Sequence, residues 1–238
     1  WHEDMGRPLG LKFIDIGYTA IFLQQDPLAE KYYNISPYAY CANNPVNFVD
    51  PDGMSWYYNS DTGVFVAHIE DDDDYIYLIT PEEINNASGD DTILSSYRDE
   101  SKFFGQQALE GHLSESLICA VVADLCNRAN TTEDGKKFVN KKFSIDIIKG
   151  DGPIMNVTPK NDIVSLKVRP EYFFRGYDSI ALLAHEVAHA VEKSAGIMSM
   201  YESVREISAD KFVRNHWAYK KASKTVKDMI SAHEKQYL

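Results

Sequence analysis

Apolar residues recur at four-residue intervals in the middle of the chain, and this spacing predicts a helix over about residues 104–127. A second helix is predicted over about 180–194, with Asp178 or Ser179 as its N-cap. A further helical pattern runs from about residue 198 to the end of the sequence.

Short runs of aromatic and β-branched residues alternate with turn signals elsewhere in the chain. They predict a hairpin or meander over about 56–80 and strands over 142–148 and 162–168, while the polar segment 81–103 is typical of a loop. The four consecutive aspartates at 71–74 are interpreted as a solvated loop tip, because the spaced ligands of an EF-hand are absent. Together these elements predict an α+β fold.

Composition and charge exclude several classes of protein. The 238 residues suffice for one or two domains, and no apolar run approaches the roughly 20 residues of a membrane-spanning helix. With 24 Lys and Arg against 36 Asp and Glu, the net charge of -12 disfavours binding to nucleic acid. Cys41, Cys119 and Cys126 indicate neither a disulfide scaffold nor a thiolate metal site.

The sharpest chemical signal is the pattern HEVAH inside the second predicted helix. His185 and His189 are four residues apart, so both imidazoles project from one helical face and can bind one metal ion. Neutral imidazole suits Zn²⁺. Glu186 is turned about 100° from His185, where it can reach a metal-bound water without being a ligand.

The next helical segment offers further ligands, Glu206 and Asp210, again four residues apart. If the two helices are antiparallel, His185 and His189 lie roughly 13 and 7 Å from the turn between them, at 1.5 Å per residue. On the same scale Glu206 lies roughly 10 Å and Asp210 roughly 16 Å from that turn. Glu206 can therefore be a third ligand, and Asp210 can accept the second N–H of His185.

HEVAH followed by EISAD resembles the gluzincin class of zinc metallopeptidases. The resemblance implies that zinc is bound by His185, His189 and Glu206. It also implies that Glu186 is the general base for a zinc-bound water, and that Asp210 is the outer carboxylate on His185. The implied activity is that of a zinc metalloendopeptidase, which hydrolyses peptide bonds.

The same resemblance implies a zincin-like fold, with a small antiparallel sheet, an active-site helix and a following helix. Zincins usually carry an edge strand before that helix, and 162–168 is the candidate by position. One further donor to the oxyanion of the transition state is expected, and it can come from His216, Tyr201, Tyr219 or Arg205. The remaining histidines are interpreted as surface or structural residues: His2, His68, His112 and His233.

A second resemblance lies near the start of the chain. The segment DPLAEKYYNISPYAYCANNPVNFVDPDG, residues 26–53, resembles the end of the RHS repeat-associated core domain. That module closes a β-cage in polymorphic toxins and precedes a variable toxin domain. The predicted domains are therefore an RHS-core remnant over 1–54 and a zincin-like metallopeptidase toxin domain over 55–238.

The RHS resemblance implies a biological setting. Asp26 and Asp50 match the aspartates that support self-cleavage in such proteins, here after Met54. The sequence shows no signal peptide, so we expect a fragment of a larger bacterial protein that is exported and delivered into a target cell. A cognate immunity protein is the implied partner, beside the protein or peptide substrate.

Two other functions use the same motif. One is a zinc hydrolase of a cell-wall or other non-protein amide, which would need the same activated water. The other is a non-catalytic binding module with structural zinc, and Glu186 argues against it because a structural site has no use for a base.

Overall fold

The structure is a computed structural model that describes residues 13–16, 19–22, 54–70, 73–148, 155–160, 163–196 and 201–237. These residues form an α+β fold with small sheets and several helices. The chain divides into two compact units, Trp1–Asp50 and Pro51–Leu238, close to the domain boundary proposed at residue 54.

The described part of the first unit is one antiparallel pair of strands, β1 (Phe13–Ile16) and β2 (Thr19–Phe22). In its register Phe13 lies opposite Phe22 and Ile16 opposite Thr19. The two aspartates proposed for self-cleavage, Asp26 and Asp50, lie outside the described residues.

The second unit begins with three strands: β3 (Met54–Asn59), β4 (Phe65–Glu70) and β5 (Ile76–Ile79). The predicted hairpin is confirmed, since β3 and β4 pair antiparallel across a turn in which Gly63 has a φ of 69°. The alternative prediction of a meander is wrong, because β5 pairs parallel with the other edge of β3. The strand order is therefore β4-β3-β5. The middle strand carries Trp56, Tyr57 and Tyr58, which are all buried.

The prediction that the four aspartates at 71–74 form a solvated loop tip is wrong for the last two, Asp73 and Asp74. Asp73 accepts hydrogen bonds from the hydroxyls of Ser55 and Tyr77 and forms an ion pair with Arg98 at 3.4 Å. Asp74 is only 3% exposed. The partners of both aspartates come from other elements, so the local sequence could not indicate their burial.

Four helices follow: α1 (Pro81–Ala87), α2 (Asp91–Ser95), α3 (Phe104–Leu109) and α4 (Glu115–Ala129). The prediction of a loop over 81–103 is therefore wrong, because polar residues of this part of the chain cap short helices. Thr80 and Glu83 form a capping box on α1, and Asp90 caps α2. The long predicted helix is interrupted between α3 and α4, where Gly111 has a φ of 74° and Ser114 caps a new helix.

A second sheet contains β6 (Lys142–Ile147), β7 (Met155–Lys160) and β8 (Ile163–Val168). The two predicted strands, now β6 and β8, are confirmed. The sheet is mixed rather than antiparallel, since β8 pairs parallel with β6 and antiparallel with β7. β8 is thus the middle strand and not the predicted edge, which agrees with the burial of Val164, Leu166 and Val168.

The last four helices are α5 (Gly176–Ser194), α6 (Glu202–Asn215), α7 (Trp217–Lys221) and α8 (Lys224–Gln236). α5 begins one turn before the predicted start, so neither Asp178 nor Ser179 is its N-cap. Asp178 accepts a hydrogen bond from the backbone N–H of Ser223 at 2.6 Å, and the Ser179 hydroxyl donates to the Arg175 carbonyl. Among the described residues, no helix is both long and apolar enough to cross a bilayer.

Helix α5 runs through the core of the second unit. Its residues Ile180, Leu183 and Val187 are at most 1% exposed and share one cluster with Val121 and Leu125 of α4. Burying an aliphatic side chain of this size stabilises a fold by about 1.5–3 kcal/mol. This packing fixes the position of the face of α5 that carries the histidines.

We predict that residues 51–238 fold without the first unit, because the second unit has this core of its own. A chain truncated to 51–238 should unfold in one cooperative transition in urea, monitored by tryptophan fluorescence and by circular dichroism. Coincident transitions by the two probes are expected. A truncated chain that is soluble but melts without cooperativity would place part of the core in residues 1–50.

Candidate metal centre

The amino-terminal end of α5 is held by a residue from the loop before β5. The N-cap residue Arg175 makes no side-chain cap, and Asp74 takes this place by accepting hydrogen bonds from the Tyr177 N–H at 3.1 and 3.2 Å. Trp56 Nε1 donates to the same carboxyl at 2.8 Å. Burial raises the pKa of Asp74 to about 8, against the opposing effect of these hydrogen bonds. Gly176 is required here, because any Cβ would overlap the Trp56 ring.

His185 and His189 lie on one face of α5, as their spacing predicts. The two rings are perpendicular, with centroids 4.8 Å apart, and their Nε2 atoms are separated by 3.2 Å. Both side chains are partly buried, at 17% and 18% exposure, so they remain accessible to a small ligand. The two imidazoles can therefore share one ion.

Helix α6 brings Glu206 to the same point. Its Oε2 atom lies 3.1 Å from His185 Nε2 and 3.5 Å from His189 Nε2. His185, His189 and Glu206 form a group of three ligand atoms within 4.8 Å of one another that could hold a metal ion. Asp210 is paired with His185 and Glu206 is close to both histidines, so α5 and α6 run antiparallel, as the axial heights require.

Asp210 is the buried partner of the histidine pair. It is 1% exposed, and its Oδ1 lies 3.1 Å from His185 Nδ1. Its Oδ2 lies 2.9 Å from Nδ1 of His233, a residue of α8. One carboxylate thus accepts a hydrogen bond from each of two imidazoles, and His185, Asp210 and His233 form a second group of possible ligands.

The carboxylates control the protonation of the centre. Burial disfavours the charged form of His185, but Asp210 and Glu206 outweigh it and raise its pKa to about 9. Burial and the charge of His185 lower the pKa of His189. The hydrogen bond with His185 lowers the pKa of Glu206. The centre therefore attracts positive charge, from either protons or a cation.

Glu186 lies beside this group without belonging to it. Burial raises the pKa of its carboxyl, and the negative charge of Glu206 adds to the rise. Its side chain contributes to the wall of a cavity of about 250 Å³. The full lining of this cavity is Leu182, His185, Glu186, Asp210, Met229, Ile230 and His233. Glu186 is thus in a position to act on a molecule that enters the cavity.

His216, one of the candidates for a transition-state donor, makes contacts that stabilise the fold. It is 2% exposed, its Nε2 donates to the Ala129 carbonyl at 3.0 Å, and its Nδ1 accepts from the Ala218 N–H at 3.2 Å. Burial lowers its pKa to about 4. Both ring nitrogens are occupied, so His216 caps α7 and has no N–H left for an oxyanion.

The other candidate donors lie in different settings. Tyr201 precedes α6 and is 69% exposed. Tyr219 packs partly buried against the core, with Lys227 over its ring. Arg205 is next to Glu206, and its Nε is buried without a hydrogen-bond partner among the described residues. None of these three lines the cavity beside Glu186.

His233 was interpreted as a surface or satisfied structural residue because no constellation was expected around it, and that expectation is wrong, since His233 lies in one group with His185 and Asp210. Its ring lies 5.3 Å from that of His185, and its Nε2 is 4.0 Å from Glu206 Oε2. One signal in the sequence could have indicated this position, because His233 shares a helical face with Val226 and Ile230 at i, i+4 and i+7. Both of those residues are buried, so their face of α8 points inward.

Comparison of this chain with protein-family models, with curated proteins and with solved structures found no match. The chemistry of the centre therefore has to be inferred from its own residues.

We predict that His216 makes stability depend on pH. Its pKa is about 4 in the folded protein and about 6.5 in an unfolded chain, so the unfolded state binds the proton more readily. The stabilisation is complete above pH 6.5 and is lost as the pH falls toward 4. His216→Asn should cost about 1–3 kcal/mol at pH 7, and this difference from wild type should shrink toward pH 4.

Urea unfolding at several pH values checks this prediction. His112→Asn is the matched control, because His112 is 65% exposed and pairs only with Glu110 at the surface in the described contacts. Its stability difference from wild type should stay small at every pH. A His216→Asn difference that does not change between pH 7 and 4.5 would contradict the prediction.

Proposed function

We propose that the second unit is a zinc-dependent metallopeptidase, which hydrolyses peptide bonds as the effector of a toxin in a target cell. The observation that carries the proposal is the convergence of His185, His189 and Glu206 on one point, with Glu186 beside them on the wall of a cavity. The motif alone predicts two ligands and a base. The convergence with Glu206 adds a third ligand from another helix.

The donor set and its spacing suit zinc. Zinc binds imidazole nitrogen and carboxylate oxygen at about 2.0–2.2 Å in tetrahedral geometry, so two ligand atoms on one ion lie roughly 3.3–3.6 Å apart. The three separations here are 3.1, 3.2 and 3.5 Å, so one lies within that range and two lie slightly below it. Three protein ligands leave one position open, which is typical of catalytic rather than structural zinc.

In the proposed reaction, the metal and Glu186 have separate roles. Zinc bound there supplies Lewis-acid chemistry, which lowers the pKa of water and polarises a carbonyl. Glu186 accepts the proton of the attacking water at its carboxylate and passes it to the leaving amine. A raised pKa suits this role, since it makes the carboxylate a stronger base toward the proton of the attacking water.

The outer residues orient the inner ones. Asp210 holds the Nδ1–H of His185, which keeps the Nε2 lone pair available for the metal. The same carboxylate holds Nδ1 of His233, and Nε2 of His233 then faces the region of Glu206. In this proposal the imidazolium form of His233, which carries an N–H at Nε2 as well as at Nδ1, takes the place of His216 and Tyr201 as the further donor to the developing oxyanion.

The remaining parts of the proposal rest on resemblance. A zincin-like fold is supported by a small sheet that precedes the ligand-bearing helix and by the helix that follows it, although β8 lies in the middle of the sheet. Delivery as a toxin and neutralisation by an immunity protein are supported by the RHS-like segment at 26–53. A zinc hydrolase of a non-protein amide would use the same site.

We predict one zinc per chain, bound by His185, His189 and Glu206. His189→Ala should lose the metal, and chelator should lower the melting temperature of wild type, because a ligand bound only to the native state stabilises it. Atomic absorption on purified protein measures the stoichiometry. His112→Ala, which also removes one histidine, should keep its zinc. Full zinc occupancy in His189→Ala would refute the ligand assignment.

We also predict that Glu186→Gln keeps zinc and stability but loses hydrolysis by roughly 10²–10⁴-fold, as expected when a positioned base is removed. Activity is measured by incubating the protein with bacterial lysate, with and without chelator, and identifying new peptide termini. Glu115→Gln, at the exposed start of α4, is the control and should retain activity.

His185→Ala should lose zinc and activity together. Toxicity in a target cell should follow hydrolysis in all of these variants. If Glu186→Gln were as toxic as wild type while His185→Ala was harmless, zinc would be structural and the chain a binding module.

A further inference from the structure

The two histidines of the candidate metal centre differ in what their second ring nitrogen contacts. Nδ1 of His185 lies 3.1 Å from Oδ1 of Asp210, within hydrogen-bond distance. Nδ1 of His189 makes no hydrogen bond to a described residue, but it forms an ion pair with Glu192, whose Oε2 lies 3.9 Å away. One imidazole therefore has an outer carboxylate in contact, and the other has one just beyond hydrogen-bond distance.

The orientation of the His189 ring determines which nitrogen needs an outer partner. Its Nε2 lies 3.2 Å from Nε2 of His185 and 3.5 Å from Oε2 of Glu206, so Nε2 is the atom that faces the metal position. A neutral imidazole that binds metal through Nε2 carries its proton on Nδ1. Metal-bound imidazoles almost always donate this second N–H to a carboxylate, a carbonyl oxygen or water.

Glu192 lies on the same face of α5 as both histidines. It follows His185 by seven residues and His189 by three, which is the spacing of one helical stripe. The side chains of Glu192 and His189 are both 18% exposed, so they are largely shielded from solvent. Within the described ranges the Glu192 carboxylate makes no other ion pair or hydrogen bond, so no other group competes with Nδ1 of His189 for it.

A small movement brings this pair into contact. A hydrogen bond from a ring N–H to a carboxylate spans about 2.7–2.9 Å, which is about 1 Å less than the present separation of 3.9 Å. The long side chain of glutamate can cover that distance by rotation about its own bonds, while the helix stays in place. A cation on Nε2 also makes the Nδ1–H a stronger donor, which favours the shorter distance.

The other charges near His189 are compatible with such a contact. Arg205 and Glu206 of α6 act on the His189 ring with opposite signs. Glu206 is close to Nε2 of the ring and Glu192 to Nδ1, so the two carboxylates do not share one position. A divalent cation at Nε2 offsets the repulsion between them.

We propose that Glu192 is the outer carboxylate of His189 in the metal-bound protein, and that it raises metal affinity by holding the Nε2 lone pair of His189 toward the ion. Glu192 is a positioning residue, because it acts through His189. The proposal rests on the ligand assignment of the proposed function and does not depend on peptide hydrolysis. It assigns a role to a residue outside both the HEVAH and the EISAD segments.

Zinc affinity tests this role without requiring catalysis. Competition with a chromophoric chelator near neutral pH gives the Kd of the purified full chain. Glu192→Ala should raise the Kd by about 10- to 100-fold, as expected when the outer partner of a metal ligand is lost. Glu192→Gln should raise it less, since an amide oxygen still accepts the Nδ1–H but carries no charge. Glu192→Gln also keeps the shape of the side chain, so it remains informative if Glu192→Ala does not fold.

Glu202→Ala and Glu202→Gln are the matched controls. Glu202 is exposed and lies one turn before Glu206 on α6, so these variants remove the same charge near the centre but no partner of His189. Their Kd should stay within about threefold of wild type, because water and salt screen an exposed charge. A loss in the Glu192 variants no larger than in these controls would overturn the proposal.

Two further measurements separate a positioning role from a merely structural one. The melting temperatures of zinc-free wild type and zinc-free Glu192 variants should be alike, because the contact forms with the metal. In NMR of zinc-loaded protein with isotope-labelled histidine, the Nδ1 proton of His189 should exchange slowly with solvent in wild type and quickly in Glu192→Ala. Fast exchange of this proton in wild type would make water the partner of His189 and overturn the proposal.

The outcomes also distinguish this proposal from the proposed function. If the Glu192 variants bind zinc as tightly as wild type, the role of Glu192 is overturned and the ligand assignment stands. If wild type binds no zinc, both are overturned. If the Glu192 variants lose affinity as expected but wild type cleaves no more peptide than Glu186→Gln, the peptidase function is overturned and the role of Glu192 is supported.

Discussion

Three helices meet on one buried carboxylate, and the geometry of the centre depends on it. Asp210 of α6 is 1% exposed and accepts a hydrogen bond from His185 of α5 and another from His233 of α8. A buried carboxylate is costly unless such partners satisfy it, so the three helices are held in one arrangement. That arrangement sets the distance from His185 to Glu206, one turn before Asp210 on the same helix, and with it the spacing of the ligand group.

A second buried carboxylate connects the centre to the first part of the unit. Asp74 caps α5 and is itself held by Trp56 in the middle strand of the β4-β3-β5 sheet. The close approach of this strand requires Gly176 at the first position of α5. The start of the ligand-bearing helix is thus fixed by residues about a hundred positions earlier in the chain, and this sheet is part of the framework of the site rather than a linker.

Much of the site was predictable because helical periodicity is local. The positions of His185, His189, Glu206 and Asp210 follow from four-residue spacing on two consecutive helices. His233 was not predicted, because its partner lies on another helix and α8 carries no second ligand to mark it. The same reason applies to the burial of Asp74 and to the role of His216, whereas the edge position of β8 was expected only from the resemblance. In these cases the decisive partner is distant in sequence, as Ala129 is from His216 and Asp210 from His233.

The three helices of the candidate metal centre, α5, α6 and α8, each contribute different residues to it, and this determines how the site could change. α5 supplies two candidate ligands, His185 and His189, and the proposed base, and α6 supplies the candidate ligand Glu206 and the shared carboxylate of Asp210. α8 supplies the imidazole of His233 and two of the three apolar residues that line the cavity, Met229 and Ile230. It ends at Gln236, near the end of the given sequence. Met229 of α8 is 43% exposed and lines the cavity, so a substitution there changes the lining without removing a candidate ligand. On α5 the corresponding residue of the lining is Leu182, which lies about one turn before His185 and Glu186, so a substitution there is closer to the candidate ligands. The lining of the cavity can therefore vary on α8 with less effect on the candidate metal ligands than on α5.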